Sequence, residues 1–401
     1  MTAVIHVVTA LERGGAQRVV LEIAARLHDP GRPQLVITGA RVAGPGSLDD
    51  EAEARLHKRL VRLPSLRGAV DPLADALATM ELARAIDGLR RRHGAPVVVH
   101  SHSSKAGVLG RLTARALRGV VSVHTVHGFG HDALGARAHA LLEAVERVAA
   151  RASDVIVFVS DADRLHAQAQ GLTGSARVEV IRAGVDRARF ADVRTPERRA
   201  AARRALALPD DAPVAVTVGN LKPQKDPLFH AEVLHAWRLV DPSARLVFVG
   251  DGPLRDAMVA RARATGDDAN LHLLGFVDDP RPALAAADVF LLASAWEGLP
   301  CAVLEATAAG LPAVVRDTGW AGELSWARSV SALPRDASPA QLAERLRAVV
   351  AKPPRATRLP RELTLDGMLE DLGRLYDELV GVPRFAPGSF RPRPRGRRRH
   401  R

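Results

Sequence analysis

The stretch from Asp288 to Pro312 constrains the fold of this chain more than any other. Asp288-Val289-Phe290-Leu291-Leu292-Ala293 is an apolar run that suits a parallel strand covered on both faces. Glu297 and Gly298 then turn the chain. Pro300 stands where a first helical residue is expected, its φ already set and no amide hydrogen to lose. Ala302 to Ala309 are good helix formers, and Gly310 followed by Pro312 is a stop signal. The order is strand, loop, helix.

A helix starting there leaves backbone N–H groups without partners and carries a partial positive charge, so it can receive an anion. Two carboxylates frame it: Glu297 on the loop, and Glu305 on the second turn of an otherwise apolar helix. A carboxylate among Val303, Leu304 and Ala306 is costly to bury without donors, and a sugar diol supplies two. One carboxylate suits a ribose and the other a second sugar, with phosphates between them at the helix end. The same residues also fit a plain helix with a surface Glu and a loop Glu.

A chain of 401 residues has room for two domains with full cores. Its one cysteine, Cys301, rules out an intrachain disulfide and fits a reducing compartment. No run reaches the roughly 18 apolar residues that span a bilayer. Met1 to Val8 lacks a basic leader and is expected as a first strand, not a signal peptide. The expected location is cytoplasmic, with peripheral contact to the inner face of the cell membrane.

The net charge of +12 suggests nucleic acid until it is located. Eight arginines and no acids fall between Gly381 and Arg401, and setting them aside leaves +4 for the rest. This Arg/Pro-rich tail is expected to be disordered. It suits anionic lipid headgroups, at roughly 1 kcal/mol per basic residue near the surface, and it equally fits a solvated terminus. Aromatics are only 3% of the chain and offer few stacking platforms, so no specific nucleic-acid partner is expected.

Val4 to Val8 is the first strand; Gly14-Gly15 and an amphipathic helix from Val19 to Leu27 follow. Paired glycines there let a phosphate or sugar approach the backbone, although G-x-G-x-x-G is absent. Asp71 to Arg91 has helical spacing, with Leu73, Leu77, Met80, Leu82 and Ile86 near one side. Strands Val97–Val99 and Val120–Val123 lead into His100, His102, His124, His127 and His131. Ligands of open α/β sheets bind outside such strand ends, and His127, followed by glycine, is the strongest candidate. Zinc is a rival for His100, His102, His124 and His127, but the spacing matches no familiar site and no cysteine helps.

Ser160 is expected to cap a helix beginning at Asp161, in preference to reading Asp161-x-Asp163 as a metal motif. Polar residues through Arg204 read as a linker. Alternation restarts at Val214, and Lys225 then stands at the carboxyl end of a strand, where it can contact a diphosphate. Pro253 and the lack of a third glycine after Gly250 argue against a nicotinamide site.

Together these residues resemble the retaining glycosyltransferases of the GT-B fold, the large family 4-like, group 1 set, and most of all its bacterial polysaccharide branch. Five features recur in order: Gly14-Gly15; Thr125-Val126-His127-Gly128-Phe129; Ala183-Gly184-Val185-Asp186; Gly219 to Lys225; and Glu297-x7-Glu305 with Gly298-Leu299-Pro300. The resemblance implies two Rossmann-like doubly wound α/β domains facing across a cleft. Residues 1–185 form the acceptor-side domain, 186–204 a linker, 205–364 the nucleotide-sugar domain, 365–380 a helix crossing back, and 381–401 the basic tail.

The resemblance also implies roles. Gly15 approaches the donor phosphates and His127 the transferred sugar. Lys225 stabilises the departing diphosphate, and Asn220 lies beside it where the family often has arginine. Phe276 borders the base, Glu297 reaches the sugar hydroxyls, Gly298 and Leu299 offer amides, and Glu305 takes the ribose. His102 is assigned weakly to the acceptor side. No cofactor and no metal are implied; the partners are a nucleotide-sugar donor and a glycan or lipid-linked acceptor. Two alternatives stay open: a sugar-nucleotide epimerase of the same fold, and a degenerate protein that binds a sugar nucleotide without turnover.

Overall fold

A computed structural model describes residues 3–93, 96–129 and 136–380. The basic tail and His131 lie outside the described residues.

Two parallel sheets make two α/β domains. The first has strands β1 (Ala3–Val7), β2 (Gln34–Thr38), β3 (Leu60–Arg62), β4 (Val97–His102), β5 (Val120–Val126), β6 (Val155–Phe158) and β7 (Arg177–Val180). Their order is β3-β2-β1-β4-β5-β6-β7. The second has β8 (Val214–Val218), β9 (Arg245–Val249), β10 (Leu271–Gly275), β11 (Val289–Leu292), β12 (Ala313–Arg316) and β13 (Val330–Leu333). They run β10-β9-β8-β11-β12-β13. Each sheet therefore reverses its winding once, between β1 and β4 and between β8 and β11, and a crevice opens at such a switch point. The central strands are runs of Val, Ile, Leu and Phe because both faces are covered by helices.

The helix Leu365–Val380 belongs to the first domain's core although it is last in sequence. Leu369, Leu372 and Tyr376 cluster with Val4, Val98 and Val155, each buried Leu contributing about 2 kcal/mol.

The segment expected as a linker is largely helical. Asp186 caps Arg187–Phe190 by accepting from the Ala188 and Arg189 amides, and Thr195 caps Pro196–Ala205. Charge hid the second helix: its Arg203 is fully buried, paired with Asp288 at 2.7 Å and donating to four backbone carbonyls. The helix Asp49–Leu56 stands between β2 and β3.

Two further expectations are corrected. β5 runs three residues past Val123, because Val-Ser-Val-His-Thr-Val keeps alternating and pairs with β4 as far as Thr125. His124 is thus inside the sheet and buried, not at its end. On the helix Pro72–His93, Ala78, Leu82 and Ile86 face the core, while Leu73, Leu77 and Met80 are exposed.

Candidate active site

The carboxyl ends of both sheets open onto one cleft of about 410 Å³. Gly15, His127, Asn220, Lys225, Phe276, Glu297, Gly298, Leu299 and Glu305 all line it.

On the second domain's wall, the helix Cys301–Ala308 begins one residue later than expected. Pro300 is its N-cap, with φ −73° and ψ 106°, and no side-chain oxygen caps it. Val303 N–H donates to the Pro300 carbonyl at 3.0 Å, which leaves the Cys301 and Ala302 amides without a backbone acceptor among the described residues. Gly310, at φ 73°, ends the helix in the left-handed region. Cys301, the first helical residue, lines the cleft, and burial pushes its thiol up to about 12.

Lys225 and Glu297 are joined in an ion pair with side chains 16% and 6% exposed. Glu297 also accepts from the Ser294 hydroxyl at 2.6 Å and from the Gln224 amide at 3.2 Å. Their position beside the helix end puts a cation next to free amides. Glu305 is different. No side-chain donor is seen on its carboxylate among the described residues, and burial raises it to about 7 against the pull of Arg18 and Arg189. Both arginines line the cleft. Sequence reasoning passed over them. Arg18 was findable, being in the first turn of the helix Gly15–Arg26 that follows the paired glycines.

Asn220 lines the cleft, but its Nδ2 donates to the Arg13 carbonyl at 3.0 Å. It joins a set of contacts between the walls. Arg13 donates to the Val277 carbonyl and to Asp278, both at 2.9 Å, and Lys222 pairs with Glu12 at 2.8 Å. The walls also touch at two glycines. A Cβ on Gly128, whose φ is 118°, would lie 2.7 Å from the Gly298 amide nitrogen, and one on Gly298 would lie 2.5 Å from the His127 carbonyl oxygen. Phe276 packs beneath the other domain's loop, 3.1 Å from where a Cβ on Gly46 would be.

The first domain's wall carries histidines. His6 and His100 are register partners on β1 and β4, and His102 follows on the same face. His102 does not line the cleft: only 1% exposed, it lies behind His127, with its Nδ1 3.1 Å from the His127 Nε2. His102 thus stands one layer behind the cleft wall. His102 Nε2 faces His6 Nδ1 at 3.2 Å, and His6 Nε2 faces Gln34 Oε1 at 2.9 Å. His100 bonds the Tyr376 and Thr125 hydroxyls, each at 2.6 Å.

The zinc alternative meets two difficulties. His124 bonds Ser101 on the opposite face of the sheet from His100 and His102. His6, His100 and His102 bring ring nitrogens within 4.8 Å of one another, yet all six of those nitrogens already have hydrogen-bond partners.

Two family models match the chain, one over each domain. "Glycosyltransferase Family 4" covers residues 13–189 and "Glycosyl transferases group 1" covers 198–362. The chain is a glycosyltransferase of this family. Its GT-B architecture is shared with sucrose-phosphate synthase from Thermosynechococcus elongatus, at a TM-score of 0.74 and 18% identity over 94% of this chain and 99% of the other. Anabaena HepE, solved in complex with UDP, gives 0.73 and 16%, over 94% and 100%.

Among curated relatives, the glycosyltransferase is 34% identical to the UDP-Gal:alpha-D-GlcNAc-diphosphoundecaprenol alpha-1,3-galactosyltransferase of Escherichia coli over 54% of its own length. That match spans 57% of the relative, little more than half its length. It is 28% identical to the D-inositol 3-phosphate glycosyltransferase of Salinispora tropica, over 97% of this chain and 86% of that one. Among the described residues, no helix is long and apolar enough to cross a membrane.

Proposed function

We propose that this glycosyltransferase moves a sugar from a UDP- or GDP-sugar to a glycan or lipid-linked acceptor, with retention at the anomeric carbon and without a metal, in cell-surface polysaccharide or glycolipid synthesis. The observation that carries the reading is the meeting, in one cleft, of Lys225, an uncapped helix end and the underused carboxylate of Glu305. A diphosphate suits the first two and a ribose diol the third. The UDP-bound neighbour and the UDP-galactose relative support the donor class.

In this reaction the bond from the anomeric carbon to the β-phosphate oxygen breaks. The acceptor oxygen bonds to the same carbon on the same face, and its proton passes to the departing phosphate oxygen. Lys225, the helix amides and the Gly15 backbone hold the growing charge, which is electrostatic stabilisation by groups already in place. Glu297, steadied by Ser294 and Gln224, meets the sugar hydroxyls, and the contacts between the walls exclude water.

The acceptor reading places the protein at a membrane surface. The exposed Leu73, Leu77 and Met80, and Leu141, Val145 and Val148 on the helix Ala136–Ala150, accompany exposed Arg84, Arg91, Arg115 and Arg137. Such a basic, apolar face suits anionic lipid, and the tail adds further charge. A thermal-shift panel of nucleotide sugars tests the donor: UDP or GDP and one of their sugars should raise the melting temperature with the logarithm of concentration. Crystals soaked with either nucleotide that leave this cleft empty would overturn the reading. Product analysis without acceptor separates transfer from epimerisation.

A further inference from the structure

The first domain's histidines form a chain with a direction. Gln34, fully buried on β2, fixes its start. The Gln34 amide nitrogen donates to the Arg32 carbonyl at 3.4 Å, which turns its Oε1 toward His6. An amide oxygen only accepts, so His6 carries its proton on Nε2. His6 Nδ1 is then a lone pair and must receive a proton from His102 Nε2. His102 Nδ1 in turn receives one from His127 Nε2. Reversing the chain would flip the Gln34 amide and set two acceptor oxygens against each other. His100 imposes no direction, because both its partners are hydroxyls that donate or accept equally well.

We propose that Gln34, His6 and His102 are positioning residues that hold His127 in its Nε2–H tautomer, so that the cleft meets a lone pair on Nδ1. His127 Nδ1 has no partner among the described residues, is not a buried orphan, and belongs to a side chain that lines the cleft. The three rings stay neutral, which the chain requires: a second proton on any of them would face one N–H against another. Burial supports this, pushing His6 and His127 down to about 4 and His102 well below its ordinary value. The consequence is selective. A ligand hydroxyl meeting His127 must donate, so a donor analogue with hydrogen or fluorine in place of that hydroxyl loses a bond it cannot replace. This rests on the reading that His127 meets the transferred sugar.

The tautomer is measured directly, with no ligand present. Long-range 1H–15N spectra of the full chain, labelled at histidine and assigned with His127→Asn, should show His127 protonated at Nε2 and bare at Nδ1. A bare Nε2 in the wild type would overturn the proposal whatever the variants do. Gln34→Leu should release the direction and give a mixed His127 tautomer, with turnover down roughly tenfold and donor KM within about twofold. An unchanged tautomer in Gln34→Leu would also overturn it. If the tautomer behaves as stated but deoxy and hydroxyl donors turn over alike, the relay stands and the contact between His127 and sugar falls.

Discussion

The two walls of the cleft treat buried polar groups in opposite ways. The first domain's wall is a set of imidazoles bonded one to the next, with Gln34 at one end and His127 at the other. The second domain's wall holds charge: the Lys225–Glu297 pair, and Glu305 with no side-chain donor among the described residues. A neutral hydrogen-bonded set satisfies its inner rings without ligand and fixes the one lone pair, His127 Nδ1, that it turns to the cleft. A charged set beside an uncapped helix is complete only with an anion and hydroxyls in place. One wall orients, and the other waits for its substrate.

The strongest challenge to that contrast is Lys225→Ala. If the lysine answers the diphosphate, turnover should fall by roughly 10² to 10³, the usual effect of removing one donor aimed at developing charge. The variant also strands Glu297, 6% exposed, so some stability should go with it. Steady-state kinetics together with thermal unfolding separate the two. Near wild-type turnover in a folded variant would show that the charged wall is structural and nothing more.

Next in size is the acid sensitivity of the neutral groups. Burial depresses His6 to about 4, and likewise His230, whose Nδ1 bonds the Asp226 carbonyl while its Nε2 receives the Ala293 amide. The unfolded chain takes up these protons near 6.5 and the folded one does not. The stability they contribute is therefore complete above about 6.5 and lost as pH falls toward 4. Each group is worth up to about 3 kcal/mol over that window. Denaturant midpoints from pH 7.5 to 4.5 measure it, and His6→Asn should flatten part of the slope. A midpoint that does not move between pH 6.5 and 4.5 would mean these rings already carry protons.

Glu305 gives the opposite wall its own pH signature. In the empty cleft burial holds it up to about 7, so half the molecules are protonated there. Under the proposed reading, ribose hydroxyls would donate to the charged form and lower its pKa on binding. Donor affinity should be full above pH 7 and weaken as pH falls, approaching tenfold per unit. Calorimetry of UDP binding reads this directly. Glu305→Gln should bind weakly at every pH, with the profile flat. A profile that persists in that variant would assign the titration elsewhere.

How much of this was legible beforehand follows from what each residue type signals. Strands of Val and Ile, a helix ending in Gly310, and Glu297 eight residues before Glu305 are patterns carried by single stretches, and they located the second wall. The histidine chain was only half visible. His100 and His102 stand in one strand, but His6 and Gln34 come from two others, and only pairing of β1 with β2 and β4 joins them. Arg203 misled because a charge reads as surface until four carbonyls and Asp288 are found around it. Leu73 misled in the other direction, an apolar residue on a helix whose core stripe is Ala78, Leu82 and Ile86.

The smallest effect tests what holds the walls together. Arg13 joins them through the Val277 carbonyl and Asp278, and its own carbonyl receives Asn220. Asp278 is 97% exposed, so solvent and salt screen that pair. Arg13→Ala should therefore cost no more than about 1 kcal/mol, about a fivefold shift from closed to open. Asn220 keeps its partner because a backbone carbonyl survives the substitution. Donor KM should rise by less than about fivefold at unchanged kcat, and a fluorescence distance pair across the cleft should lengthen on average. Salt should reproduce part of the effect in the wild type and little in the variant. If KM and distance both stay put, the walls are held by the backbone contact of Gly128 with Gly298, where no side chain fits, and the loop at Arg13 follows closure without driving it.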